Sequence, residues 1–457
     1  MKLTLNEIIQ SVSGRLYQPF AEKLVVTGVS TDSRKISKGD LFVPLIGERF
    51  DGHQFIKMAE EQGAVVALWQ SLKTIPKDVK IPFILVADTL VALQDLAKYY
   101  RKKINPTIVA VTGSNGKTTT KDLIASVLST TYSVHKTKGN LNNHIGVPLT
   151  LLTMPEETEL AVIEMGMSNK GEIALLSEIA KPQIAVITNI GESHIEFLGS
   201  RKAIAAAKLE VIEGLQENGT LILNGDEPLL RDYLANQNLH FHLKWVGENK
   251  ENDVYPVKVN LDGTKGIQFN SQDQVSYSLP LLGLHNVINA LMAVEVGKCL
   301  HISIEKIQQG LKDPKLTSMR LEKMIAKNGA ILLNDVYNAS PTSMKASLQL
   351  LSTFQNDKKI AVLGDMLELG EYAKEYHLEI GRVCAGLQID LLVTTGKDGR
   401  WIAEGAKEAG MVEEQVHYIK DFNHLSEFVL QHSNQKTMIL LKASRGVHLE
   451  KVVESLV

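Results

Sequence analysis

Apolar and polar positions alternate in blocks along this chain, and the blocks change period. Short β-rich runs, VVTGVS, FVPLI, AVVAL and FILVA, occupy the first hundred residues. Between them a helical pattern covers about Gln54 to Gln62, closed by Gly63, and a second helix is predicted over about Leu90 to Lys103. KKINPT, with Pro106, breaks the pattern and predicts a linker. The middle third opens with TIVAVTGSNGKTTTKDLIASVL, a strand, a tight glycine loop and a helix. SVHKT, LAVIEMG, IAVITNI and TLILN follow as further strands with helical segments between most of them. Continuous apolar runs are the mark of parallel strands buried on both faces, and their alternation with helices predicts a doubly wound α/β sheet. A polar, Asn/Asp/Gly-rich stretch from about Glu248 to Pro280 predicts a small antiparallel excursion or loop. LKDPKLTSMRLE, with Pro314, marks a second boundary. Beyond it AILLND, KIAVLGD, DLLVTTG and TMILLKAS resume the strand–helix alternation. Ser340 is placed to cap a helix that Pro341 begins.

The predicted architecture is therefore α/β in three units: a smaller N-terminal α/β domain over 1–104, a central P-loop domain over 105–313, and a Rossmann-like C-terminal domain over 314–457. Composition narrows the function classes. Hydrophobic residues make up 44% and charged residues 22%, which is globular. Lys+Arg 49 against Asp+Glu 52 leaves a net charge of −3, so no global field draws in nucleic acid or an acidic membrane. Two cysteines, Cys299 and Cys384, exclude a disulfide framework and favour a reducing compartment. MKLTLNEIIQSVSGRL has no apolar core, so no signal peptide is expected, and no run is long enough to span a membrane. The expectation is a cytoplasmic, monomeric protein.

TGSNGKTTT carries the strongest chemistry. Gly113 and Gly116 let backbone N–H groups approach a phosphate, and Ser114, Asn115 and Thr119 complete the loop at a helix N-terminus. Lys117 can bridge β- and γ-phosphate oxygens, and the Thr118 hydroxyl can ligate Mg²⁺. The loop is shorter than the usual P-loop, whose first glycine would fall at Val111. In an open α/β sheet, ligands gather at the carboxyl ends of the strands. There LAVIE ends in Glu164, IAVITN ends in Thr188 and Asn189, and GESH brings His194 to the same rim. SRKAIAAAKLEVIEGL is predicted to be one helix. Its apolar stripe, Ile204, Val211, Ile212 and Leu215, also contains Lys208. That lysine either snorkels to water, contacts phosphate, or reacts with CO₂ to become an anionic carbamate.

Taken together, these motifs resemble the Mur ligases, ATP-dependent amide-forming enzymes of peptidoglycan precursor synthesis, over essentially the whole chain. The short loop is similar to that family's phosphate loop. The resemblance implies ATP and Mg²⁺ as cofactors, with Glu164, His194, Thr118 and a carbamylated Lys208 holding the metal. It places Ser30, Asp32, Ser33 and Arg34 of GVSTDSRKISKGD near the UDP end of the substrate, with Asn142 and Asn143 of GNLNNHIGVP facing that substrate. It puts Asn286 of GLHNVINA at the adenine, and Arg320 and Asp335 against ATP from the C-terminal side. Asn338, in YNASP, is set near an incoming dipeptide, and GDMLELG and LLKASRG complete the match. Ser340 stands where many relatives of this branch have Asn. Asn169 and Lys170 replace a frequent Gln-Pro pair. The implied substrates are UDP-N-acetylmuramoyl-tripeptide and D-alanyl-D-alanine. The rival readings are a branch of the family that adds a single diamino acid, whose DNPR motif is absent here, and a nucleotide-dependent switch without ligase activity.

Overall fold

The computed structural model describes residues 1–19, 23–48, 50–235 and 237–457. Three mainly parallel sheets follow one another along the chain. The first has five strands in the order 15–16, 83–86, 66–70, 40–42, 28–30, with only the 15–16 edge antiparallel. The second has six parallel strands in the order 242–246, 220–224, 184–187, 107–112, 160–164, 134–136. The third runs 322–325, 331–334, 437–442, 358–363, 391–394, 416–418, with one antiparallel edge pair. The polar excursion forms a three-stranded antiparallel sheet, 256–261, 267–271 and 276–279.

In the second sheet the chain leaves strand 107–112 toward one edge and later returns on its other side, at 184–187. Such a reversal opens a crevice beyond the strand's carboxyl end, and the glycine loop sits there. Helix Lys117–Leu128 packs under helix His285–Cys299, which is buried around almost its whole circumference. The N-terminal sheet is joined to the second through helix Thr89–Ile104. That helix turns the Tyr100 hydroxyl inward to donate to the Met154 carbonyl at 2.8 Å, and its Asn105 cap is left-handed, at the expected linker.

Most expected elements form. Gly63 closes helix Ile56–Gln62 at φ +112°, and Ser340 caps helix Pro341–Thr353 with Pro341 in its first turn. The helix expected through Leu215 is shorter: it is α-helical over Arg201–Leu209 and tightens to 3₁₀ over Glu210–Glu213. Glu210 begins the 3₁₀ turn. Its carboxylate turns away to accept from Gly171 N at 2.8 and 2.9 Å and from Ala174 N at 3.3 Å, satisfying the start of helix Glu172–Ala180. Among the described residues no helix is long and apolar enough to cross a membrane.

Candidate active site

The phosphate loop is shaped by two glycines in conformations that side chains avoid. Gly113 has φ +144°, and a Cβ there would meet Thr188 Oγ1; Gly116 has φ +79° where it leads into the helix. The loop is held from the neighbouring strand end. Ser114 N donates to the Asn189 carbonyl at 3.0 Å, Asn115 N to Asn189 Oδ1 at 2.8 Å, and Thr188 Oγ1 to the Asn115 carbonyl at 2.5 Å. Lys117 folds back over the loop, donating to the Gly113 and Ser114 carbonyls at 2.6 and 3.1 Å. Burial lowers its pKa; Glu164 opposes that shift and Arg320 adds to it.

Glu164 is the hub. One carboxylate oxygen accepts from Thr118 Oγ1 at 2.9 Å and the other from Asn142 Nδ2 at 2.8 Å. The Lys121 ammonium lies 3.8 Å away. Lys121 also lies 3.4 Å from Asp122 and donates to the Thr137 carbonyl at 3.0 Å. Asp122 in turn accepts from Lys136 at 2.6 Å and from Thr317 N at 2.8 Å, which ties the linker before the third sheet to the loop helix. Lys315 N adds a bond to Ser126 Oγ at 3.1 Å. Three residues past Thr317, Arg320 donates to Thr118 Oγ1 at 2.8 Å and stacks on the Tyr337 ring at 4.1 Å.

The C-terminal unit closes the crevice. Ser340 Oγ donates to Asn115 Oδ1 at 3.0 Å, and Glu192 accepts from Thr342 N at 3.2 Å and Thr342 Oγ1 at 2.7 Å. His194 Nδ1 lies 2.6 Å from Glu368, and both residues have left-handed backbones, φ +67° and +62°. The imidazole beside Glu368 holds that carboxyl below its usual range. Non-glycine residues in that region mark strain of the kind found at working sites. Asp335 is buried in a pair with Lys442 at 2.5 Å and accepts from Ser347 at 2.8 Å.

These elements enclose a cavity of about 750 Å³. Ser114 to Thr119, Asn142, Asn143, Glu164, His194, Asn286, Arg320, Asp335 and Asn338 all line it. Asn286 donates to the Leu282 carbonyl at 2.7 Å and accepts from Asn289, which crowds Gly116. Lys208 is fully buried behind this wall, and among the described residues its ammonium has no hydrogen-bond or ion-pair partner. Burial, reinforced by Lys117, pushes its pKa well below the ordinary lysine value.

The N-terminal turn is separate. Asp32 caps the 3₁₀ turn Ser33–Lys35 and takes both Nε and an Nη of Arg34 at 2.9 Å, which holds its carboxyl at about 2. Ser30 Oγ donates to the Asp32 carbonyl at 2.9 Å, and Ser33 is buried against Met58. None of the four lines the cavity. Three participants were missed in the sequence: Lys121, Asp122 and Glu368. The first two lie one turn beyond the glycine loop, in a polar stretch that no pattern singles out. Only the shared motif GDMLELG pointed toward the third.

Comparison with known proteins identifies the family. The descriptions "Mur ligase family, catalytic domain", "Mur ligase middle domain" and "Mur ligase, glutamate ligase domain" match residues 25–101, 111–297 and 319–445. The UDP-N-acetylmuramoyl-tripeptide–D-alanyl-D-alanine ligase of Bacillus subtilis is 47% identical over 460 residues, covering 100% of this chain and 99% of that protein. Among solved structures, MurF from Acinetobacter baumannii superposes with a TM-score of 0.89 at 31% identity, covering 100% and 99% of the two chains. MurF from Thermotoga maritima in complex with ADP gives 0.83 at 30% identity, covering 94% and 97%.

Proposed function

The chain belongs to the Mur ligase family, and from that premise we propose that it joins D-alanyl-D-alanine to UDP-N-acetylmuramoyl-tripeptide with ATP, giving the pentapeptide precursor of peptidoglycan. One observation carries this reading. A phosphate loop, a strand-end carboxylate and an arginine from beyond the linker meet at a single hydroxyl, that of Thr118. A relative solved in complex with ADP supports nucleotide use.

The reaction needs an activated acyl group. The substrate carboxylate attacks the γ-phosphorus of ATP, and the bond to the β–γ bridging oxygen breaks, releasing ADP. Lys117 and Arg320 neutralise charge that builds on the phosphoryl oxygens. The dipeptide amine then attacks the acyl carbon of the resulting acyl phosphate. A tetrahedral intermediate collapses, phosphate leaves, and the amine loses a proton. The closed contacts from Ser340 and Thr342 keep water from the acyl phosphate.

Mg²⁺ belongs to this reading. Glu164 and Thr118 are oxygen donors already paired at the strand end, which suits a hard cation. Among the described residues no three His, Cys, Asp or Glu side chains cluster as a self-contained cage. That fits an ion that takes remaining oxygens from phosphate and water. His194 and a carbamylated Lys208 are the further ligands in this proposal. When bound, the ion would supply charge neutralisation at the phosphates. An uncompensated, neutral-prone amine is what capture of CO₂ requires, and the carbamate would reverse the charge of that pocket.

The division at 1–104, 105–313 and 314–457 assigns the UDP end of the substrate to the first unit. Ser30, Asp32, Ser33 and Arg34 meet it there, and Asn142 and Asn143 meet it from the central unit. Asn286 takes the adenine, Asp335 faces ATP, and Asn338 faces the dipeptide. The chain acts as a cytoplasmic monomer in this reading. The test is phosphate release with ATP, Mg²⁺ and the UDP-tripeptide, with and without D-alanyl-D-alanine, with the product weighed. Release that depends on the dipeptide and yields a pentapeptide is expected. Release only with a dipeptide precursor and one diamino acid, or release indifferent to any acceptor, overturns the proposal.

A further inference from the structure

A second cavity, of about 560 Å³, lies on the C-terminal side of the first and shares His194, Tyr337 and Asn338 with it. The two volumes therefore open onto one reaction centre. Its size is within the range that holds a small ligand. Met319, Leu367, Leu369 and Ala339 give it apolar patches suited to methyl groups. Among the described residues, Arg445 is the sole lysine or arginine on its wall.

Arg445 is poorly employed where it stands. One Nη donates to the Met319 thioether at 3.3 Å, a weak acceptor, and the other lies 3.7 Å from Glu450, beyond hydrogen-bond distance. Two other arginines of this chain are served better. Arg34 grips Asp32 through two nitrogens at 2.9 Å, and Arg201 reaches Glu227 at 2.7 Å and the Ile190 carbonyl at 2.9 Å. The segment that carries Arg445 is nonetheless fixed. Ser444 N donates to the Asp365 carbonyl at 2.9 Å, and Ser444 Oγ donates to the Ala339 carbonyl at 3.2 Å while accepting from Leu367 N at 2.9 Å. A guanidinium on a rigid mount, half exposed, with its fork unfilled, is matched to a planar carboxylate.

We infer that Arg445 reads the C-terminal carboxylate of the incoming dipeptide, so that the second cavity selects a free acid of fixed length and points its amine at the shared wall. This rests on the ligase reading above and adds the group that recognises the acceptor. A carboxylate on Arg445 anchors one end of the acceptor, and the methyl groups lie along Met319, Leu367 and Leu369. The amine end is left at the rim common to both cavities, where the acyl phosphate forms.

The experiment compares D-alanyl-D-alanine with its C-terminal amide, which keeps shape and amine but lacks the charge. Wild-type enzyme is assayed first for pentapeptide formation with the free dipeptide. Failure there overturns the ligase reading itself. With that activity in hand, wild type is expected to prefer the free acid by roughly tenfold to a hundredfold in kcat/KM. Arg445→Met is expected to lose that preference, with a rise in KM for the dipeptide, an unchanged KM for ATP and an unchanged rate with the amide. Arg445→Lys is expected to restore part of the preference. A wild type indifferent to the amide, or an Arg445→Met variant that still discriminates, overturns the inference. A variant that loses acid and amide equally does so too, since the side chain would then serve the structure alone.

Discussion

Lys121 and Lys208 are each about 1% exposed, each on a helix of the central unit, yet the surroundings of their ammonium groups are opposites. Lys121 stands between Asp122 and Glu164 and donates to a backbone carbonyl. Lys208 is buried with a second positive charge, Lys117, acting on it. Burial lowers the pKa of both, but for Lys121 two carboxylates oppose the shift. One pocket is built to keep a cation and the other to expel a proton. The same residue type at the same burial thus meets two carboxylates in one place and only another positive charge in the other.

The comparison breaks most sharply in the two methionine variants. Lys121→Met leaves Asp122 and Glu164 short of a buried partner and is expected to cost about 3–5 kcal/mol of stability, read in urea unfolding. Lys208→Met replaces a buried, unpartnered amine with an apolar side chain and is expected to raise stability by about 1–3 kcal/mol while lowering ligase activity a hundredfold or more. Full activity in that variant would remove the carbamate from the mechanism. Short carboxylic acids are expected to restore part of the activity of Lys208→Ala, as a surrogate for the missing anion.

A second test uses pH. A lysine held below its unfolded value of 10.5 is neutral in the folded chain while the unfolded chain still binds the proton. Between the folded and unfolded values, stability therefore rises with pH. Unfolding curves from neutral pH upward should show this rise, and Lys208→Met should flatten it. A slope that survives the substitution assigns it elsewhere.

Smaller effects are expected at the closure contacts. Asp122→Asn weakens the grip on Thr317 N and should raise KM for ATP by about tenfold, because Arg320 is registered through that linker. Glu192→Gln weakens one carboxylate against the start of helix Pro341–Thr353, for a change of under about fivefold. Arg34→Ala is expected to leave stability essentially unchanged, since its side chain is 80% exposed. A rise in KM for the UDP substrate, without a loss of stability, would assign the turn to substrate.

The legible parts of the molecule share one physical property. Strands 107–112, 160–164, 184–187 and 437–442 are buried on both faces, so they read as unbroken apolar runs. The edge strands His242–Val246, Glu322–Ile325 and Val416–Tyr418 are half wet, and their pattern merges with loops. Glu164 and Lys208 stood out because a charge interrupts an apolar pattern. Lys121 did not, because TTTKD is polar and the lysine becomes buried only where it meets the Thr137 carbonyl and the end of strand 160–164. The pairing of His194 with Glu368 crosses 174 residues and two sheets, a distance that no local pattern encodes.

The linker ahead of the third sheet is pinned three times to one helix, at Lys315 through Ser126, at Thr317 through Asp122 and at Arg320 through Thr118. Between those anchors the chain passes Met319 at φ +65°, with Leu321 at φ +51° just beyond. A connection fixed at both ends and wound between them works as a gauge. It measures a set length from the loop helix to the guanidinium that rests on Thr118. Chain length in this stretch is therefore part of the geometry of the cavity, and an insertion of one residue here would displace that guanidinium as surely as a substitution at the arginine itself.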